Sequence, residues 1–272
     1  MKKEISHDMP TVLVEHPRAG TALVTLNRPQ SLNSFNLQTV YELDAILSSL
    51  ATDDSCRVVV LTGAGRGFCS GHELAEMRNS GELVSPVEAM AVQQAFAALT
   101  VRVRTMPQPV VAAVNGPAAG AGLALALASD IRICSESAKF NAAFVRIGLS
   151  GCDVGVSYLL PRIVGPTLAF EMMLTGRLVG ADEALRSGLV LRVVPGSEVV
   201  PAAFAVAESI CANSPFGVRM TKEVMWANLD APSLQSAIDM ENRTQVLCVQ
   251  TRDMQEAIAA FVDKRPPVFT NS

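Results

Sequence analysis

No cluster of roughly five to eight basic residues occurs in this chain. Its 22 Lys and Arg are outnumbered by 26 Asp and Glu across 272 residues, for a net charge of −4. That balance argues against non-specific binding to nucleic acid. The six cysteines, at 56, 69, 134, 152, 211 and 248, form no CxxC pair and have no His partner at zinc spacing. Free thiols in a reducing compartment are expected, with no metal site. The opening MKKEISHDMP lacks an apolar core, so no secretory signal is expected. The longest apolar stretch, Leu123 to Ala128, is too short to span a bilayer. The expectation is a cytoplasmic protein without membrane or nucleic-acid partners.

Several site motifs are missing as well. GAGRG at 63–67 lacks the third glycine of a dinucleotide fingerprint, and the 116–122 turn reads GxxxGxG. Neither begins the chain's first βαβ unit with an acidic residue about twenty positions later, as a Rossmann site would want, and no GK[ST] is present. Ser70 in FCSGH and Ser150 in GLSGC miss the G-x-S-x-G elbow of a serine hydrolase.

What is abundant is apolar: 49% of residues, with a mean hydropathy of +0.30. That composition supports a large core and hints at buried subunit contacts. Segments 11–15 and 21–26 alternate around Pro17 and Gly20 as a hairpin. Asn36 is placed to cap a helix over 37–50, where Leu37, Val40, Leu43, Leu47 and Leu50 share helical spacing. RVVVLT at 57–62 reads as a strand buried on both faces. A helix is expected over 87–105. Strand 110–114 then runs through a glycine turn into a helix ending near 128, with short strands at 131–134 and 139–140. Strand, glycine turn and helix thus occur twice, an α/β pattern with parallel strands. From about 201 only helices are expected. Ser214-Pro215 and Ser233 are their caps, Asp253 with Glu256 reads as a capping box, and Pro266-Pro267 is the stop.

The bare turns carry chemistry. A helix N-terminus presents unpaired N–H groups and a partial positive charge. Two converging donors hold a carbonyl oxygen that is becoming negative, and side chains there would block the ligand. Gly120-Ala121-Gly122 and Cys69-Ser70-Gly71 are the two turns of this kind.

The ordered segments LNRPQSLNSF (26–35), VVVLTGAGRGFCSGHEL (58–74), PVVAAVNGPAAGAGLALALASDIRI (109–133), LTGRLVGADEALRSGLV (174–190) and FVDKRPPVF (261–269) resemble the crotonase, or enoyl-CoA hydratase/isomerase, family over nearly the whole chain. The resemblance implies a spiral of ββα units over 1–200 that binds acyl-CoA. It also implies a helical oligomerisation region over 201–272, packing as a homotrimer or homohexamer. It implies an acyl-CoA substrate, with coenzyme A present only as part of that substrate and no other cofactor. By position it puts the oxyanion amides on Ser70 and Ala121, the latter replacing the middle glycine of the family's usual GGG. Contacts to CoA and acyl chain would come from Arg28, Ser31, Leu32, Gly71, His72, Glu73, Leu74, Gly120 and Phe144. Phe261 and Lys264 would approach the nucleotide, often from a neighbouring subunit. His72 stands where the family has a small residue and is assigned no proton transfer.

One departure matters most. Where the best-known hydratases carry two glutamates, this chain has Ala124 and Phe144. A two-carboxylate hydration mechanism therefore has no residues to run on. Asp153, in the SGCDVG turn, matches an acid found in some family isomerases and is the expected proton-transfer group; its structural alternative is a helix N-cap. One carboxylate suits double-bond migration better than hydration, because a single group can remove a proton and return it elsewhere. The alternatives are another crotonase chemistry, such as thioester hydrolysis, C–C cleavage or dehalogenation, and a CoA-thioester binding protein that has lost catalysis.

Overall fold

The computed structural model describes residues 10–73 and 85–272. A six-stranded sheet in the order β1-β2-β3-β4-β6-β9 forms its centre. β1 (Val12–Arg18) and β2 (Thr21–Leu26) are the expected hairpin, with β1 running on through Pro17 past an irregularity between Glu15 and Arg18. β3 (Val58–Gly63), β4 (Val110–Val114), β6 (Ile131–Ser135) and β9 (Arg192–Val194) then add in parallel.

β3 is buried at every position, as its unbroken apolar run requires. Its side chains alternate between two separate cores. Val59 and Leu61 join the larger one, with α1 (Leu37–Ala51), α2 (Pro86–Thr105) and α3 (Ala121–Ala128). Val58 and Val60 join the smaller one, with Val199, Ala203, Phe204 and Ala207 of α7 (Val199–Cys211). Because α7 covers the second face of the sheet, it is part of the α/β body. The helical appendage therefore begins after Asn213, not at 201.

Local capping works largely as read. The Asn36 side chain accepts from the Thr39 amide at 2.9 Å and starts α1. Ser85 and Glu88 close a capping box at α2 that the sequence reading had not singled out. A second, three-stranded sheet is built from β5 (Ala118–Ala119), β7 (Lys139–Asn141) and β8 (Val179–Gly180). α4 (Val156–Val164), α5 (Pro166–Thr175) and the short α6 (Ala181–Arg186) complete the body.

The appendage comprises α8 (Pro215–Asn228), α9 (Leu234–Val249) and α10 (Arg252–Val262), with Ser214 and Ser233 capping as expected. Two expectations fail at its end. The cap of α10 is Thr251, and Asp253 is instead buried, accepting from the Thr270 and Asn271 amides at 2.7 and 3.1 Å. A carboxylate that satisfies folded-back chain is not free to cap its own helix. The helix also stops before the prolines. Lys264 turns left-handed at φ 54° and the Arg265 amide closes back on the Ala260 carbonyl at 3.0 Å, a C-terminal cap in its own right. All six cysteines are free thiols. Among the described residues, no single helix is long and apolar enough to cross a membrane.

Candidate active site

Three turns meet at the C-terminal ends of β2, β3 and β4. The first, 27–33, includes the 3₁₀ turn Pro29–Ser31 and then two non-glycine residues in left-handed conformation, Leu32 and Asn33 at φ 52° and 57°. Asn33 holds them there. Its amide nitrogen donates to the Ala64 and Gly67 carbonyls at 3.0 and 2.8 Å, and its oxygen accepts from the Arg28 amide at 2.8 Å. Asn115, at the end of β4, clasps the same 63–67 loop from the other side, donating to Gly63 O at 2.8 Å and accepting from Gly63 N at 3.2 Å. These two asparagines set the second turn, 68–73, and spacing alone did not single them out.

The second turn runs as a short extended segment between two neighbours. On one side, Cys69 N donates to Pro117 O at 3.1 Å and Cys69 O accepts from Ala119 N at 3.0 Å. On the other, Phe35 N donates to Gly71 O at 2.7 Å and Glu73 N to Phe35 O at 2.9 Å. Gly71, at φ 92°, makes the switch, and a Cβ there would lie 2.8 Å from Ala119 O and 3.4 Å from Ala121 N. The third turn enters α3, whose eight residues are all buried. Its close approach demands Gly122, since a Cβ there would meet Cys69 O at 2.1 Å.

The fate of each amide decides what this junction can do. Ser70 N donates to Leu32 O at 3.0 Å, and its hydroxyl donates to Ser31 O at 3.1 Å. Ser70 therefore ties two turns together, and its N–H is not available to a ligand; the expectation that it serves as an oxyanion donor is corrected. Gly71 N lies against the Cys69 sulfur, whose thiol burial pushes up to about 12. The next amide, that of His72, has no acceptor among the described residues. In the parallel bridge, the groups facing Phe35 are Gly71 O and Glu73 N, so the N–H of His72 points the opposite way, toward the 117–121 side. Ala121 N is likewise without a partner among the described residues, at the first position of α3, while Gly120 N is used by Asn141 O at 3.0 Å. Two free main-chain donors, His72 and Ala121, thus flank Gly71.

Arg28 and Glu73 also differ from expectation. They form a half-buried ion pair at 2.6 Å, with a second Arg28 nitrogen on Ser34 O at 2.7 Å. Their charges brace the first turn against the second, so the charged head of Arg28 is not left over for a CoA phosphate. Leu32 lines the same junction, its carbon atoms 3.3 Å from a Cβ built on Gly67. Leu74 lies outside the described residues.

The Phe144 ring packs on the third turn, 3.5 Å from a Cβ built on Gly120, and is 7% exposed. Ala124 is buried one helical turn below. Both positions are therefore apolar wall. Asp153 is held by α2 and by its own turn. Asp153 Oδ1 accepts from the Val154 amide at 2.8 Å and from the Gln93 side chain. It does not cap α4: the N-cap there is Gly155, with no side-chain cap, which removes the structural alternative. Val154 itself is held at φ 37°, a costly conformation for a β-branched residue, with its carbonyl fixed by Thr100 Oγ1 at 2.8 Å.

Gln93, Phe96 and Thr100 lie on one face of α2. Phe96 stacks on the His72 ring, centroids 4.3 Å apart and tilted 38°. Burial holds the His72 imidazole below its ordinary pKa, and the charges of Asp153 and Glu73 act against that shift. Sequence reasoning missed Gln93 and Phe96 because nothing local distinguishes them from other helix residues. Phe261 and Lys264 lie on and after α10, remote from these turns in the fold, and Phe261 is 86% exposed. Within one chain they do not join the site.

Residues 16–272 match the family model described as enoyl-CoA hydratase/isomerase. The chain is 45% identical to the protein named "Probable enoyl-CoA hydratase echA12" of Mycobacterium bovis, over 96% of this chain and 93% of that one. It is 36% identical to the 1,2-epoxyphenylacetyl-CoA isomerase of Escherichia coli, over 95% and 98%. The crystal structure of an enoyl-CoA hydratase from Bacillus anthracis superposes with a TM-score of 0.91 at 33% identity, covering 96% of this chain and all of the other, which makes the α/β architecture the crotonase fold. This chain belongs to the enoyl-CoA hydratase/isomerase family and is an enzyme of that hydratase/isomerase kind.

Proposed function

We propose that the chain acts on an unsaturated acyl-CoA thioester, holding the thioester oxygen between the main-chain amides of His72 and Ala121. Removing a proton next to a thioester builds charge on that oxygen, and each well-aimed donor contributes roughly 3 kcal/mol to stabilising it. The α3 dipole adds to the same end of the site. The observation that carries this reading is the pair of uncommitted N–H groups flanking Gly71.

Asp153 is the proton-moving group. Its Oδ1 is occupied by Gln93 and Val154, Oδ2 has no partner among the described residues, and the strained Val154 marks a turn kept for function. With Ala124 and Phe144 apolar, a single carboxylate favours double-bond isomerisation over hydration. The solved structure named as a monofunctional enoyl CoA isomerase from M. smegmatis, 43% identical to this chain, supports the same choice. Exposed Phe261 and the left-handed Lys264 suit a nucleotide contact made across subunits. The broad apolar exposure of α8 to α10 suits a homotrimer or homohexamer.

The second reading, a binder without turnover, is favoured by the same two apolar positions. Crotonyl-, 3-enoyl- and dienoyl-CoA separate the two. Hydration adds the mass of water, isomerisation changes absorbance alone, and a binder changes neither while ligand still raises its melting temperature. Ala121→Pro tests the oxyanion pair directly. Proline is tolerated at the first helical position, where it replaces the N–H with a ring carbon, so turnover should fall at least about 100- to 1,000-fold in a folded protein. A variant that turns over at the parent rate rejects the pair.

A further inference from the structure

We propose that the His72 imidazole is a second proton carrier of this site, paired with Asp153 across the acyl pocket. The proposal rests on the reading of Asp153 as the proton-moving carboxylate and deepens it.

The pairing is built by one helix face. Gln93, Phe96 and Thr100 are spaced along α2 at one helical face. Gln93 holds the Asp153 carboxylate, Thr100 fixes the following Val154 carbonyl at 2.8 Å, and Phe96 holds the His72 ring at 4.3 Å. A Cβ on Gly155 would lie 3.0 Å from Thr100 Cγ2, so the 153–155 turn is pressed against this face. Phe35 supports the Phe96 ring from behind, edge-on at 6.4 Å. The imidazole is thus fixed by packing, half-buried, on the helix face that also holds Asp153. His72 is also the residue whose amide is proposed to hold the thioester oxygen, so the ring belongs to the segment that borders the reacting thioester.

The charged groups that act on the ring are Asp153, on the turn opposite, and Glu73, on its own segment; Glu73 is already paired with Arg28 at 2.6 Å. α2 presents only the neutral Gln93 and Phe96. Among the described residues Asp153 is therefore the carboxylate acting on the imidazole that has no charged partner of its own.

The step balances with these two groups alone. Asp153 Oδ2 takes a proton from the α-carbon of a 3-enoyl thioester, and the C–H electron pair enters a dienolate whose oxygen lies on the two amides. The N–H bond of the His72 imidazolium breaks, and its proton goes to the γ-carbon as the double bond settles between α and β. Asp153 then passes its proton to the neutral imidazole. The substrate loses one proton and gains one, and the pair returns to its starting charge. Burial against Phe96 makes the imidazolium a stronger acid than an exposed histidine, which helps it protonate carbon.

Isotope and pH measurements on the full chain test this. In D₂O the unaltered enzyme should place solvent deuterium on the γ-carbon, because an imidazolium exchanges with solvent, whereas one carboxylate returning the same proton would not. Its kcat should fall as pH rises through the His72 pKa, which burial holds below the ordinary 6.5, because the imidazolium is lost there. His72→Gln keeps both amides. It should bind acyl-CoA with an unchanged Kd, lose about 100-fold in kcat, lose the deuterium at the γ-carbon and show a flat pH profile in that region. His72→Ala should recover deuterium incorporation when imidazole is added. A parent enzyme that isomerises without γ-deuterium overturns the proposal, as does a His72→Gln variant that retains both deuterium and the pH limb. The underlying reading fails separately: Asp153→Asn that still isomerises at the parent rate removes Asp153, and a parent enzyme that binds but transforms no thioester removes both.

Discussion

At Gly122 the peptide chain of α3 passes so close to the second turn that a single methyl would sit 2.1 Å from Cys69 O. The contact is with backbone, which has no rotamer to yield. Gly122→Ala should therefore destabilise the fold by about 3 kcal/mol and separate the two oxyanion turns. Urea unfolding alongside turnover checks this, and a fully active variant of parent stability would contradict it. His72 makes a second residue-scale statement. Its folded pKa lies below the ordinary 6.5. As pH drops below 6.5 the unfolded chain takes the proton first, so folding weakens through that window and is unaffected above it. His72→Gln should flatten this part of the stability curve, as read from urea midpoints. Neither point was fully visible in the sequence. The glycines of 116–122 announced a bare turn, but which of Ser70, Gly71 and His72 kept its N–H free depended on Leu32, a residue of another segment.

At the scale of elements, the informative packing is α8 against the body. Lys222 is 8% exposed, with its ammonium 2.9 Å from Asp130 and donating to the Val103 and Gln108 carbonyls at 3.0 and 2.8 Å. Trp226, one turn on, donates to the other Asp130 oxygen at 2.7 Å, and Arg104 stacks over the indole at 3.4 Å. Lys222→Met strips one partner from a buried pair and should cost about 3 to 5 kcal/mol. Denaturant unfolding measures it, and a loss below about 1 kcal/mol would mean that the appendage docks by apolar contact alone. The longer periodic elements were legible, while β5, β8, β9, α5 and α6 were not read. Asn36, Ser214 and Ser233 capped where the spacing placed them, and the β3 run was buried on both faces, because caps and periodicity are local properties. The Asp253 capping box was not: a buried carboxylate was claimed by the returning C-terminal segment, which no local window contains.

The whole molecule leaves much apolar surface uncovered. α9 buries none of its residues, and Leu229, Leu234, Val246, Leu247, Val249, Phe261 and Val262 are all more than half exposed, as are Phe170 and Leu174 of α5. So wide an apolar face on a chain of 28.8 kDa is what supports the proposed subunit packing. Sedimentation equilibrium should give three or six times that mass, and a stable monomer at micromolar concentration would remove the cross-subunit role given to Phe261 and Lys264.

Read from the chain alone were the β1–β2 hairpin, β3, β4, β6 and β7 with α1 to α3, the two bare turns after β3 and β4, and Ala124, Phe144 and Asp153 at their places. Each of these is written in residue identity and in periods of two or 3.6 residues, which act within a few positions of one another. Folding made Ser70 a tie, left the His72 amide without an acceptor among the described residues, paired Arg28 with Glu73, and brought the His72 ring and Asp153 to one face of α2 through Phe96 and Gln93. Hydrogen-bond commitment and ring packing are settled between segments far apart in the chain, and the chain must fold before those partners exist.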